Sequence, residues 1–341
     1  MMRINGLDSI RFFLAGIVAV GHYAANYTRD LSFLGDRGAW FLNNIIGLLF
    51  NGQAAVIVFF VLSGFVIHYP NALSSELQIK KFYIRRYIRI IPPSAVAVAF
   101  FFAANIDPDD GDWNNTIFWS IICELIYYTF YPILFKFRYR IKEILILSYL
   151  IGIGIILYNH EAAEANQNFN AMGNLTFLMG LPCWIGGAFI ADRISRNSER
   201  IFLSQNPVVW RIICLSLFGI TLIIKQLHTY IGIFSSNIVL FYIISFAIYC
   251  WIWTEVRFSL IGGKQTSAMQ FFDHLGQSSY SLYLIHMVPI MALGMQGKGF
   301  IGLTISMIGV GIATAIFYLV IEKPCHGLAR RLAQKSNRTN H

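Results

Sequence analysis

The chain has 341 residues, of which 56% are hydrophobic and 16% aromatic but only 13% charged, about half the charged fraction of an ordinary soluble domain. Long stretches lack the polar helix face that would cover a soluble core, so the apolar residues are expected to face lipid and a water-soluble globular fold is excluded. A net charge of +9 raises the question of nucleic acid, but in a membrane protein the decisive point is which loops carry the positive charges.

A bilayer core takes roughly 20 apolar residues per helix. Runs of that kind, separated by charges or turn signals, fall at 8–27, 42–68, 90–106, 115–135, 143–159, 173–191, 208–226, 234–253, 279–296 and 299–321. They predict an all-α, polytopic integral membrane protein with about ten transmembrane helices. Asp8 and Arg11 interrupt the first run where a cleavable leader would be clean, so it is expected to be a retained helix. The third run opens on Pro92-Pro93, which fits a first helical turn or a break better than a helix middle.

Of the 26 Lys and Arg residues, all but Arg29, Arg37, Lys225 and Lys298 fall on one side of this alternating arrangement. The opposite side carries Asp107, Asp109, Asp110, Asp112, Glu161 and Glu164. The bias predicts that both termini are cytoplasmic. It also accounts for the basic balance, so membrane lipid is an expected partner and nucleic acid is not. Residues 1–323 are expected to form one membrane-embedded domain and 324–341 a basic cytoplasmic tail. Cys123, Cys183, Cys214, Cys250 and Cys325 lack metal-ligand spacing and read as small apolar residues, so no metal is expected.

An ionisable residue inside a membrane helix costs at least about 2.5–3.5 kcal/mol and is by default a functional candidate. Arg11 and His22, eleven residues apart, project from one helical face and are separated by roughly 16 Å along the axis. They read either as a snorkelling arginine with a satisfied histidine, or as a cation and an imidazole base. Arg85, Arg86 and Arg89 lie at the cytoplasmic mouth of the third helix, Arg86 and Arg89 on one face. They either anchor the helix to anionic headgroups or grip phosphate oxygens. After Trp119, the residues Ser120, Glu124 and Tyr128 form a polar stripe at i, i+4, i+8. Ser279, Tyr283 and His286 share a face at i, i+4, i+7, for which hydrogen bonding between helices is an equally good account.

Taken in order, these segments resemble the acyltransferase 3 family of multispanning membrane O-acyltransferases. The likeness rests on Leu7-Asp8 with Arg11 and His22; Phe59-Phe60-Val-Leu-Ser63-Gly64-Phe65; Arg85-Arg86-x-x-Arg89-Ile-x-Pro92; Trp119-Ser120-x-x-x-Glu124-x-x-Tyr127-Tyr128 with Pro132; Leu275-Gly276-x-x-Ser279-Tyr280-Ser-Leu-Tyr283-Leu-x-His286; and a closing Glu322-Lys-Pro324. The resemblance implies that His22 is catalytic, that Arg11 and the Arg86-x-x-Arg89 pair bind or orient acyl-CoA, and that the donor is cytoplasmic while the acceptor lies at or beyond the far side. Implied acceptors are surface glycans such as O-antigen, peptidoglycan and exopolysaccharide, lipid-linked glycans, or smaller secreted glycosides and macrolides. The implied location is the cytoplasmic (inner) membrane of a bacterium. Some members carry a further extracytoplasmic hydrolase-like domain after the last helix, and this sequence is expected to be without one.

The residues fit that chemistry. A sugar hydroxyl is a poor nucleophile near neutral pH, and a neutral His22 is suited to take its proton during attack on the thioester of acetyl-CoA or another acyl-CoA. The arginines Arg11, Arg85, Arg86 and Arg89 suit the donor's phosphates. Glu124 serves as a second catalytic candidate, orienting His22 or binding acceptor hydroxyls. Trp119, Ser120, Tyr128, Ser279, Tyr283 and His286 are candidate substrate contacts. A covalent acyl-His intermediate stays open. The competing class is a secondary transporter or flippase that uses intramembrane His22 and Glu124 as relay groups.

Overall fold

The computed structural model describes residues 4, 6–27, 35, 38, 45, 49–104, 116–161, 163, 169–196, 206–231, 237–262, 266–294 and 299–338. Arg3, Arg29, Arg37, Asp107, Asp109, Asp110, Asp112, Glu164, Arg200, Lys264 and Lys298, which entered the charge argument above, lie outside these residues. Among the described residues the chain is helical throughout and has no strand. The helices are α1 (Leu7–Tyr27), α2 (Gly52–His68), α3 (Ile79–Ala103), α4 (Phe118–Lys136), α5 (Ile141–Tyr158), α6 (Thr176–Ser195), α7 (Pro207–Ile231), α8 (Asn237–Leu260), α9 (Ser267–Leu275), α10 (Ser279–Ile285), α11 (Met287–Gly294), α12 (Gly299–Phe317) and α13 (Lys323–Arg338).

Seven of the described helical stretches are long and apolar enough to cross a membrane, and Gly52–His68 and Pro207–Thr221 are shorter apolar helices. Their exposed faces are apolar, the inverse of a soluble protein: α12 presents Ile301, Ile305, Ile308, Ile312 and Ile316 outward, and α5 presents Leu147, Leu150 and Leu157. With every internal backbone group bonded within its own helix, such faces are stable only against lipid.

Four elements depart from the sequence expectation. The second run, expected over 42–68, is not helical at Phe50 and Asn51, and α2 starts at Gly52. The third helix starts at Ile79, so it takes in the basic patch and carries Pro92 and Pro93 inside it. The two prolines withhold N–H groups from the preceding turn, and beside that break Tyr280 O–H donates to the Ile90 carbonyl at 3.3 Å. The ninth run is divided at His286 into α10 and α11, three residues ahead of Pro289, which cannot donate to the carbonyl of Ile285. The tenth run continues past its apolar end through a π-helical turn, Tyr318–Glu322, into α13. Pro324 lacks the N–H that would close a normal α-turn there, and the Lys323 N–H instead reaches the Tyr318 carbonyl.

The described residues divide into two compact units. The first comprises Met1–Ile10, Gln53–Glu76 and Trp113–Asp273. In it α6 packs against α4, α5 and α8, and α7 packs against α8. The α2–α6 crossing depends on two glycines: a Cβ on Gly64 would lie 1.9 Å from the Trp184 carbonyl oxygen, and one on Gly187 1.9 Å from that of Val61. The start of α1 is capped by Asp273, which accepts the N–H groups of Gly6 at 2.9 Å and Ser9 at 2.8 Å. Gly6 has φ 93°, a conformation that a side chain would strain.

The second unit comprises Arg11–Gly52, Leu77–Asp112 and His274–His341. There α13 packs along α3, α12 packs on α10 and α11, and α10 also meets α3. Ser94 of α3 and Tyr280 of α10 are joined through their hydroxyl oxygens at 2.8 Å.

Candidate active site

Of the polar groupings that interrupt the apolar packing, three hold the expected site residues, two in the second unit and one in the first. In the second unit, α1 carries His22 to the fully buried His286, at the junction of α10 and α11. His22 Nδ1 and His286 Nε2 are 2.8 Å apart, and the ring planes lie within 5° of parallel. His286 Nδ1 faces the Tyr283 carbonyl at 2.8 Å and that of Leu282 at 3.2 Å. A carbonyl oxygen only accepts, so Nδ1 of His286 bears the proton. Fully buried and bonded only to neutral groups, the His286 ring is neutral and its Nε2 is an acceptor. His22 Nδ1–H therefore donates to it, and Nε2 becomes the basic nitrogen of His22. The relay fixes both the tautomer and the plane of the His22 ring, as a carboxylate does in the Ser-His-Asp triad.

Towards the other end of the same unit stands a charged cluster. Glu322, fully buried at the end of the π-helical turn, accepts the Ser281 N–H at 3.0 Å and the Ser281 hydroxyl proton on Oε2. Its other oxygen faces His326 Nε2 at 3.4 Å. Arg89 and Arg11 act on Glu322 electrostatically, and these two together with Arg330 act on His326. Two arginines, from α1 and α3, thus act on the carboxylate, and a third, from α13, acts on the neighbouring imidazole. Arg89 and Arg86 are half-buried, whereas Arg85 is exposed.

In the first unit, Glu124 of α4 is half-buried. Its Oε1 accepts the Ser63 hydroxyl at 2.6 Å and the Tyr128 hydroxyl, while Trp184 Nε1–H donates to Ser63 Oγ at 3.2 Å. No described residue donates to Glu124 Oε2, which leaves that oxygen able to accept a hydroxyl from elsewhere. Trp119 packs edge-on against Phe60 with ring centroids 6.0 Å apart, and Ser120 Oγ–H donates to the Ile117 carbonyl of its own helix.

The expected site residues therefore sort by unit. His22 meets His286, with Tyr283 contributing its carbonyl and Ser279 buried one turn earlier. Arg11 and Arg89 act on Glu322 electrostatically, and Glu124 meets Tyr128. The nitrogen of His22 that an orienting group would hold is occupied by His286, and Glu124 is engaged with Ser63 and Tyr128. Sequence reasoning had not singled out Ser63, Trp184, Ser281, His326 or Arg330 as site residues. Ser63 lies in the Phe59–Phe65 segment and Glu322 in the closing Glu-Lys-Pro segment, where a lone hydroxyl in an apolar run and a carboxylate at its end are the available signals. Among the described residues no three His, Cys, Asp or Glu side chains are grouped as a metal site requires.

In comparison with known families, residues 4–322 match the family model described as an acyltransferase domain, Acyl_transf_3. No curated protein and no solved structure matches the chain.

Proposed function

The chain belongs to the acyltransferase 3 family and is an integral membrane acyltransferase, and from that premise we propose that it moves an acyl group, acetyl by default, from cytoplasmic acyl-CoA to a hydroxyl of a cell-surface polysaccharide or glycolipid. In this reading both termini lie in the cytoplasm and the membrane is the bacterial inner membrane. The observation that carries it is the His22–His286 pair, in which a neutral, carbonyl-anchored imidazole holds Nδ1 of His22 and makes Nε2 the base.

The acceptor hydroxyl gives its proton to His22 Nε2 as its oxygen bonds to the thioester carbonyl carbon. The adduct collapses with cleavage of the C–S bond, the imidazolium returns the proton to the departing sulfur, and an ester and free CoA result. Such general-base assistance is worth about 10²–10⁴-fold. Arg11, Arg86 and Arg89 hold the donor's phosphates. Glu124 Oε2, presented by Ser63 and Tyr128, accepts a hydrogen bond from an acceptor hydroxyl.

Purified protein given labelled acetyl-CoA and isolated surface glycan is expected to label the glycan and release CoA, and a transporter or flippase is expected to do neither. His22→Ala should insert normally and lose at least about 100-fold in rate. Retention of more than about a tenth of wild-type activity would remove His22 from the role of base.

A further inference from the structure

The closing Glu322-Lys323-Pro324 segment has no part in the mechanism above, yet it contains a fully buried carboxylate. A buried charge persists only where it is paired and hydrogen-bonded. The partners of Glu322 are informative because each leads to a functional residue. Oε2 takes both the N–H and the O–H of Ser281, and Ser281 lies in the short helix α10, whose Leu282 and Tyr283 carbonyls receive His286 Nδ1–H. His286 in turn holds His22. In the other direction Glu322 is under the electrostatic influence of Arg89 and Arg11. Its Oε1 has no hydrogen-bond donor among the described residues and faces His326 Nε2 at 3.4 Å.

Local backbone geometry supports a dedicated placement. The carboxylate closes a π-helical turn ahead of Pro324, and single π-turns recur at functional positions because they re-aim a side chain at a cost in helix regularity. A seven-residue helix such as α10 has little intrinsic stability and depends on tertiary anchors for its position.

We propose that Glu322 is a positioning residue that ties the donor-binding arginines to the imidazole pair: it anchors α10 through Ser281, and thereby sets His286 and His22, while its charge sits beside the arginines that take the donor's phosphates. The proposal rests on the acyl-transfer reading above. The π-helical turn that carries Glu322 packs against α3, the helix of Arg89, and before the donor arrives the carboxylate acts electrostatically on Arg89 and Arg11. When phosphates reach these arginines the carboxylate remains bonded to Ser281, so donor binding and base alignment act on one group.

Oxygen and charge are separable. Ser281→Ala removes a hydroxyl from the anchor and is expected to lower kcat about five- to tenfold, the worth of one hydrogen bond, with KM for acetyl-CoA within about twofold of wild type. Glu322→Gln keeps an oxygen for Ser281 and deletes the charge. It should hold kcat well above that of Glu322→Ala, and free CoA, followed by thermal shift, should bind it several-fold more tightly because a negative charge beside the phosphates is gone. Glu322→Ala combined with Ser281→Ala should lose no more kcat than Glu322→Ala alone.

Transfer is measured with labelled acetyl-CoA into isolated surface glycan, His22→Ala serving as the reference. If wild type labels the glycan and His22→Ala does not, while Ser281→Ala keeps full kcat or Glu322→Gln is as impaired as Glu322→Ala, the role of Glu322 is overturned and the acyl-transfer reading stands. Unchanged CoA affinity in Glu322→Gln likewise overturns the link to the arginines. If wild type itself transfers nothing, the acyl-transfer reading fails first.

Discussion

Replacing His286 by Phe removes the acceptor for His22 Nδ1–H while retaining a flat ring of similar size. In the wild type that bond is 2.8 Å long and its acceptor is fully buried. Loss of that bond to a buried acceptor costs about 1–3 kcal/mol. The ring relieves the penalty by turning or by moving its proton to Nε2, and either change removes the basic nitrogen from the reaction. The same energy appears as a loss of roughly 5- to 150-fold in kcat. In the proposed mechanism the arginines and not the ring hold the phosphates, so KM for acyl-CoA should stay within about twofold. His286→Gln places an amide oxygen near the former Nε2 and should recover part of the loss, which a purely steric role would not allow. The assay is single-turnover transfer from labelled acetyl-CoA into surface glycan, at saturating donor. Wild-type kcat in His286→Phe, or equal impairment of the Phe and Gln variants, would refute the orienting role.

Arg86→Lys and Arg89→Lys keep the charge but lose the planar fork, so acyl-CoA binding measured by calorimetry without acceptor should weaken about 10- to 100-fold; wild-type affinity in both would return them to membrane anchoring. Glu124→Gln retains an oxygen for Ser63 and Tyr128, and it should raise the KM for the glycan without altering donor binding. An unchanged acceptor KM would show that the charge is not used. Gly64→Ala drives a Cβ to 1.9 Å from the Trp184 carbonyl, where backbone must move, and should cost about 1–3 kcal/mol in thermal or denaturant stability. Equal stability would mean that the α2–α6 crossing is looser than the structure has it.

Apolar runs betray lipid-facing helices directly, because the bilayer imposes both length and composition. The start of α3 was not legible for the same reason: Lys80, Lys81, Arg85, Arg86 and Arg89 lower the apolarity of a segment that is helical from Ile79. Periodicity places Ser279, Tyr283 and His286 on one helical face, but it says nothing of a partner 264 residues away. The substrate-contact reading of His286 therefore stands beside a geometry in which the imidazole is sealed from the surface and bonded to His22. Glu322 lies in the closing Glu-Lys-Pro segment, yet spacing gives no hint of its bonds to Ser281, because these cross from the π-helical turn to α10.

The choice of an imidazole to hold the base follows from the medium. A carboxylate beside His22 would have to be buried as a charge, and removing an ion from water costs several kcal/mol even after relaxation. A neutral imidazole accepts the same hydrogen bond, and its remaining N–H ends on the Tyr283 carbonyl, available where the chain breaks between α10 and α11. The relay therefore starts and finishes on uncharged groups. Buried charge in the second unit is found instead at Glu322, on which Arg89 and Arg11 act electrostatically. In the proposed mechanism, chemistry that needs a mobile proton is thus separated along the helices from chemistry that needs fixed charge, with Ser281 between the two.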